Sequence, residues 1–206
     1  MSGAFPISSS AFSTMGIKSI QNTIISKSDS GKKLARQIDG QRFAFTAQII
    51  TGKRSDIYGE LMAFIIKQRS QKENFTIIPP EIEDARGIET GTLAVNGSHT
   101  VGDTTIAIDG FAADTANRLR AGDFIKFNGH TKVYMVVADV TSSSGAATVT
   151  IEPPLTTALS DDEAVAYDNI PFTVHLTNDV QEFGAVSADK DGNVLYQFEL
   201  DVEEAL

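Results

Sequence analysis

The chain has 206 residues, 41% of them apolar, no cysteine and a formal net charge of −10. That length and apolar content supply a packed core for one large domain or two small ones. The missing cysteines exclude disulfide frameworks, thiolate nucleophiles, zinc–thiolate sites and iron–sulfur clusters, and the acidic balance opposes binding to a phosphate backbone unless a basic groove is segregated.

The charge is unevenly placed: residues 1–86 carry a net +4, residues 87–168 a net −7 and residues 169–206 a net −7. Oppositely charged sections of one chain can attract copies of that chain. The opening stretch "MSGAFPISSSAFSTMG" lacks the basic start and unbroken apolar run of a secretory signal. The longest apolar run, "LMAFII" at 61–66, falls far short of the roughly 20 residues that cross a bilayer. The expectation is a soluble protein, made in the cytoplasm, with no membrane insertion and no specific nucleic-acid partner.

Residues 17–27, 32–39 and 42–51 read as extended segments, separated by the turn signals "SDSGK" (28–32) and "DG" (39–40). Phe43, Phe45, Ala47 and Ile49 alternate with Arg42, Ala44, Thr46 and Gln48, the period of two of a strand with one buried face. A long antiparallel hairpin is expected. The period then changes: Ile57, Leu61, Phe64 and Ile65 fall on one helical stripe, with Ser55 or Asp56 as cap and Lys67 and Arg69 at the C-terminal end. "FTIIPP" (75–80) predicts a short strand stopped by Pro79 and Pro80.

From Gly87 the composition shifts to Gly, Thr, Asp and Val. Short strands are expected at 92–95, 103–108, 123–128, 131–139 and 146–151, with one helical turn in "GFAADTANRL" (110–119) and "IEPPL" closing the set at 151–155. Five such strands suggest a small barrel of the OB type. After Asp168 longer strands return: Phe172, Val174 and Leu176 alternate with Thr173, His175 and Thr177, and Val194, Tyr196, Phe198, Leu200 and Val202 alternate with polar positions. Too few residues follow 168 for an independent domain. The expected fold is therefore mainly β with one short helix: a discontinuous antiparallel sheet or sandwich domain (1–86 and 169–206) with a long hairpin, and an inserted OB-like barrel (87–168).

Candidate chemistry is thin. Asp123, Lys126, His130 and Lys132 surround the apolar hairpin "RLRAGDFIKFNGHTKVYMVV" (118–137), whose tip is "NGH". His130 is expected to be an exposed turn residue, because neither an orienting partner nor a cleft can be named for a general base. His99, His130 and His175 lie on three separate segments without metal-pair spacing; His175 is expected on a solvent or interface face. "DKDGN" (189–193) places Asp189, Asp191 and Asn193 at the first, third and fifth positions of a calcium loop, but Val194 stands at the sixth and Leu200 at the twelfth, where glycine and a bidentate Glu are required. A hairpin turn is expected there. The acidic neighbours Glu81 with Glu83, and Asp161, Asp162 and Glu163, are adjacent in loops and define no acid/base pair. Phosphate-loop, dinucleotide and G-x-S-x-G signatures are missing, so no enzymatic function and no cofactor are expected. In the inserted segment Phe124, Phe127 and Tyr134 are assigned to a core rather than to base stacking. Sugar binding needs no positive charge, and OB-folds host it.

The ordered set "GQRFAFTAQI" (40–49), "MAFIIKQR" with "FTIIPP", "AGDFIKFNGHTKVYMV" (121–136) with "IEPPL", and "YQFELDVEEAL" resembles the distal tail proteins (Dit) of long-tailed, non-contractile bacteriophages, in the short form whose insertion is an OB-fold. The resemblance runs from about residue 17 to the end. It implies a structural virion protein of the tail tip: a hexameric ring joining the tail tube protein to the tail-tip hub protein, its barrel turned outward to support side fibres or touch host-surface glycans. The free chain can be a monomer that closes into a ring on assembly. The alternative function is a carbohydrate-binding module without a tail-ring role. The section charges suggest that Lys32, Lys33, Arg36 and Arg42 of the hairpin meet Asp201, Glu203 and Glu204 of a neighbouring copy, or line the bore, with apolar burial dominating and charge setting register.

Overall fold

A computed structural model describes residues 3–38, 40–80 and 82–206. Asp39 of the expected "DG" turn and Glu81 of the Glu81/Glu83 pair lie outside the described residues. The fold is mainly β with one α-helix among the described residues, as the patterning predicts. It forms two compact units, Met1–Ile77 with Thr173–Leu206, and Ile78–Phe172. Residues 78–86 and 169–172 group with the inserted unit for a physical reason. The Asn169 amide donates to Glu83 O, the Ala85 amide to Asp168 Oδ1, and the Arg86 and Gly87 amides to the Asp123 carboxylate.

The chain opens with β1 (Phe12–Ile20), β2 (Thr23–Lys27), β3 (Lys33–Gln37) and β4 (Arg42–Lys53). The first expected segment is thus two strands, parted at residues 21–22. β1 pairs with β4 from Ile20↔Arg42 to Phe12↔Ile49, whereas among the described residues β2 and β3 pair only with each other. A π-helical turn, Arg54–Tyr58, leads into α1 (Gly59–Lys67). That wider turn makes Tyr58, Leu61 and Ile65 the buried stripe, with Ile57 only half-buried. A Cβ on Gly59 would stand 2.7 Å from Arg54 O, so the junction demands glycine. Neither Ser55 nor Asp56 caps the helix; Ser55 Oγ donates to Asp56 Oδ1 instead. β5 (Phe75–Ile77) follows. Its Thr76 exchanges backbone bonds with Gly3 and Phe5, which draws Phe5 into a cluster with Phe12, Phe64 and Phe75 at ring separations of 5.3 to 6.0 Å.

The inserted unit carries β6 (Leu93–Val95), β7 (Thr105–Asp109), β8 (Phe124–Phe127), β9 (Tyr134–Val136), β10 (Ala146–Glu152) and β11 (Ala164–Ala166). They close an antiparallel barrel in the order β10-β7-β6-β11-β8-β9. This small OB-like barrel has one strand more than the five expected: β11 bridges β6 and β8 and leaves no edge. Its interior is filled by Val95, Ile106, Ile108, Ile125, Val149 and Ile151, all at 0% exposure. The expected helical turn at 110–119 is absent. Gly110 sits at φ +83° with Thr92 O 2.1 Å from where a Cβ would be, and Asn117 also has positive φ; this backbone wraps closely around its neighbours instead of coiling.

β12 (Phe172–Leu176), β13 (Phe183–Ala188) and β14 (Val194–Glu204) complete the chain. The sheet of the first unit runs β1-β4-β14-β12-β5, with β13 on β14. The β4–β14 register sets Ile49, Ala47 and Phe45 opposite Phe198, Leu200 and Val202, all buried on one face. The other face is polar: Lys18 Nζ donates to Thr46 Oγ1, whose hydroxyl donates to Asp201 Oδ1.

Candidate functional site

The four polar residues around the barrel hairpin do not converge on one point. Asp123, 2% exposed, accepts hydrogen bonds from the backbone amides of Arg86, Gly87 and Arg120; it staples the 86–87 segment to its own turn. Lys126 donates to Pro171 O at 2.7 Å. Lys132 is 1% exposed, inside rather than around the hairpin. His130 corrects the expectation of an exposed turn. Its side chain is 5% exposed, flanked by the Phe127 and Tyr134 rings, with Nε2 3.7 Å from Glu163 Oε1. The partner comes from the residues just before β11, far along the chain, where no local spacing links it to the histidine.

The other histidines have structural surroundings. His99 Nε2 accepts the Ala107 amide at 3.1 Å, which places its ring proton on Nδ1, 3.8 Å from Asp103. His175 is half-buried opposite Glu203. Among the described residues no three His, Cys, Asp or Glu side chains gather as a metal site. The Asp189 turn shows why the calcium pattern fails. The Asp189 carboxylate accepts the amides of Asp191 and Asn193 and the Asn193 side chain, and pairs with Lys53 Nζ. The Lys53 and Asn193 bonds hold its acidity well above that of an ordinary carboxyl, and Asp189 in turn raises the Lys53 pKa. Millimolar calcium is therefore expected to leave the melting temperature unchanged in a thermal shift assay; a calcium-dependent rise would contradict the assignment.

One buried cluster carries no sequence signature. Glu89 and Arg118 form an ion pair at 2.6 Å with side chains 0% and 5% exposed, and Glu89 also accepts the amides of Thr90, Gly91 and Ala112. Burial pushes the carboxyl pKa up, but the Arg118 guanidinium and those amides outweigh it and hold the value at about 2. Arg118 Nη2 is buried without a partner among the described residues. The pair ties the loop before β6 to the loop after β7, a structural role. An acidic residue before "TGT" and an arginine in an irregular loop have no distinctive spacing.

The expected interface residues divide into two groups. Lys32, Lys33 and Arg36 lie on the β2–β3 arm, where every strand residue is exposed. Arg42 instead pairs with Glu203 of its own chain at 3.1 Å, and Asp201 is held by Thr46 and Asn178. Glu204 is withdrawn from the set: it is 0% exposed and accepts the Phe43 amide, because alternation along β14 turns it to the core side with Phe198, Leu200 and Val202. The arm also exposes Ile24, Ile25, Leu34 and Ile38, each at 55 or 56%. Strand alternation and the Ile24↔Arg36 register place Ile24, Leu34 and Ile38 on one side. On the polar face of the main sheet, Gln48, Glu182, Gly184, Val186, Gln197 and Glu199 line a shallow groove of about 270 Å³. Glu182 and Glu199 are exposed there and are acidic groups that sequence patterning does not single out.

A larger groove, about 550 Å³, crosses the outside of β11. Ala164 and Ala166 form its floor, exposed on either side of the inward Val165. Lys126, Asn128 and His130, from β8 and the turn after it, and Tyr167, Asp168 and Pro171, from the chain beyond β11, also line it. The Tyr167 hydroxyl donates to Gly91 O at 2.8 Å, which fixes its ring. Compared with known protein families and with curated proteins, the chain matches none.

Proposed function

We propose that this chain is a structural protein of a phage tail tip, in which copies close into a hexameric ring that joins the tail tube to the tail-tip hub. The observation that carries the reading is the β2–β3 arm. A two-stranded hairpin is at best marginally stable alone in water, and among the described residues this one pairs with no other strand while exposing four large aliphatic side chains. Such an element becomes ordered when a partner covers it. A ring closes through a heterologous contact, one patch of each copy against a different patch of the next. The arm with Lys32, Lys33 and Arg36 is one such patch, and the polar sheet face with Glu182 and Glu199 is of the opposite charge. Aliphatic burial supplies the affinity and charge sets the register. The ordered sequence resemblance to distal tail proteins supports the same assignment, and the reading involves no reaction and no cofactor.

The test is electron microscopy of tailed particles from the strain that encodes the chain, labelled with antibody raised against it. The expected result is label confined to the distal end of the tail. Particles that carry no label, or label elsewhere on the virion, would overturn the proposal.

A further inference from the structure

We propose that Asn128–Gly129, at the tip of the β8–β9 hairpin, is a self-modification site, where Asn128 deamidates through a succinimide with water as the only co-reactant and leaves a carboxylate beside Glu163. The site stands on the barrel unit alone and does not depend on the ring assignment.

Asparagine followed by glycine is the pairing most open to this chemistry, because glycine has no side chain to shield its amide nitrogen or to restrict the backbone around it. The chain holds two such pairs, Asn96–Gly97 and Asn128–Gly129, and the fold treats them differently. Both asparagines are exposed. The Gly97 amide, however, donates to Asp161 Oδ1 at 2.6 Å, a charge-assisted bond on the nitrogen that would have to react. The Gly129 amide has no hydrogen-bond partner among the described residues. Gly129 is itself exposed, and a Cβ placed on it would meet nothing nearer than Glu163 Oε1 at 3.9 Å. Two backbone bonds hold the tip. The His130 amide donates to Phe127 O, with Gly129 at φ +81° in the third place of that turn, and the Asn128 amide donates to Ala164 O. Both must yield before the Asn128 side chain swings onto the next nitrogen, and local opening at an exposed hairpin tip costs far less than unfolding the barrel.

The step balances without an oxidant or a cofactor. The Gly129 nitrogen attacks Asn128 Cγ; the N–Cγ bond forms, the Cγ–Nδ2 bond breaks, and the side-chain nitrogen departs as ammonia with the proton that the backbone amide gives up. Water then opens the cyclic imide at either carbonyl. Opening at Cγ leaves aspartate, whereas opening at the main-chain carbonyl leaves isoaspartate, whose backbone is lengthened by a methylene. Either product adds a negative charge to a segment, 87–168, that already carries a net −7. Isoaspartate also stretches the turn that leads into the buried His130 ring, flanked by Phe127 and Tyr134.

The experiment is peptide mapping by mass spectrometry of the full chain after incubation in mildly alkaline buffer, once folded and once in guanidinium chloride. In the folded chain, conversion at Asn128 is expected to run at least about tenfold faster than at Asn96, the factor that one charge-assisted bond on the Gly97 nitrogen supplies. In guanidinium chloride the two rates are expected to converge. Asp161→Ala, at an exposed position, frees the Gly97 amide and is expected to raise conversion at Asn96 while leaving Asn128 unchanged, with circular dichroism checking that the chain stays folded. Asn96 converting as fast as Asn128 in the folded chain, a difference that persists in guanidinium chloride, or a folded Asp161→Ala chain in which Asn96 stays as slow as before would each overturn the proposal.

Discussion

Glu89→Gln is expected to lower the stability of the barrel unit by about 3 to 5 kcal/mol, the usual cost of breaking a buried ion pair from one side. The carboxylate is fully buried against Arg118 and three backbone amides. Substitution leaves a guanidinium without its counterion in a setting where Nη2 already lacks a partner among the described residues. Against a total of roughly 5 to 15 kcal/mol for a domain, that is a large share. A melting temperature lowered by more than about 10 °C, with the main-sheet unit unaffected, is the readout. The same pair gives a pH signature. The folded-state pKa of Glu89 is about 2, against an ordinary value of 4.5. Its contribution is thus fully present above pH 4.5 and is lost as pH falls toward 2. Glu89→Gln should flatten the loss of barrel stability across that window; an unchanged slope would show that other carboxyls dominate acid unfolding.

Replacing Ile24 and Leu34 together by Asp is expected to abolish association between copies while leaving the fold intact. Both residues are 56% exposed, and surface changes of this kind usually move stability by less than about 0.5 kcal/mol. Burying the exposed half of each aliphatic side chain at an interface is worth roughly 1 to 1.5 kcal/mol, so losing two weakens each contact about 30-fold or more. In tailed particles carrying this variant, the label at the tail tip should disappear while circular dichroism of the purified chain matches wild type. Retained label would separate the arm from assembly. Lys32→Glu with Arg36→Glu is the milder variant: it should slow association and reduce its salt dependence without removing the apolar contact.

Local periodicity discloses the centre of the main sheet. Alternation at Phe43, Phe45, Ala47 and Ile49, and again at Phe198, Leu200 and Val202, marks the two strands that meet there in register. β11 is not legible in this way because Ala164-Val165-Ala166 has a single large apolar residue, and it is ordered by ladder bonds to β6 and β8 rather than by its own preference. β13, "FGAVSA", is hidden likewise; its anchor is one cross-strand stack, Phe183 on Phe198 with ring centroids 4.5 Å apart. The Glu89–Arg118 pair joins two irregular loops, so no spacing rule announces it. His130 and Lys132 are polar residues that the barrel buries, and Glu204 ends an acidic run yet faces inward, because a strand's alternation continues whatever the side chain. Turn signals alone merge the β2–β3 arm into a long hairpin, but its isolation depends on which strands β1 and β4 choose as partners.

Hydrogen exchange of Thr23 to Gln37, compared between the isolated chain and assembled tail particles, tests whether the β2–β3 arm is the contact that closes the ring. Exchange is expected to be rapid in the free chain, since each arm residue is exposed and among the described residues one hairpin ladder protects it, and strongly slowed in the particle, where a neighbouring copy covers the arm. Equally rapid exchange in both states would contradict that contact.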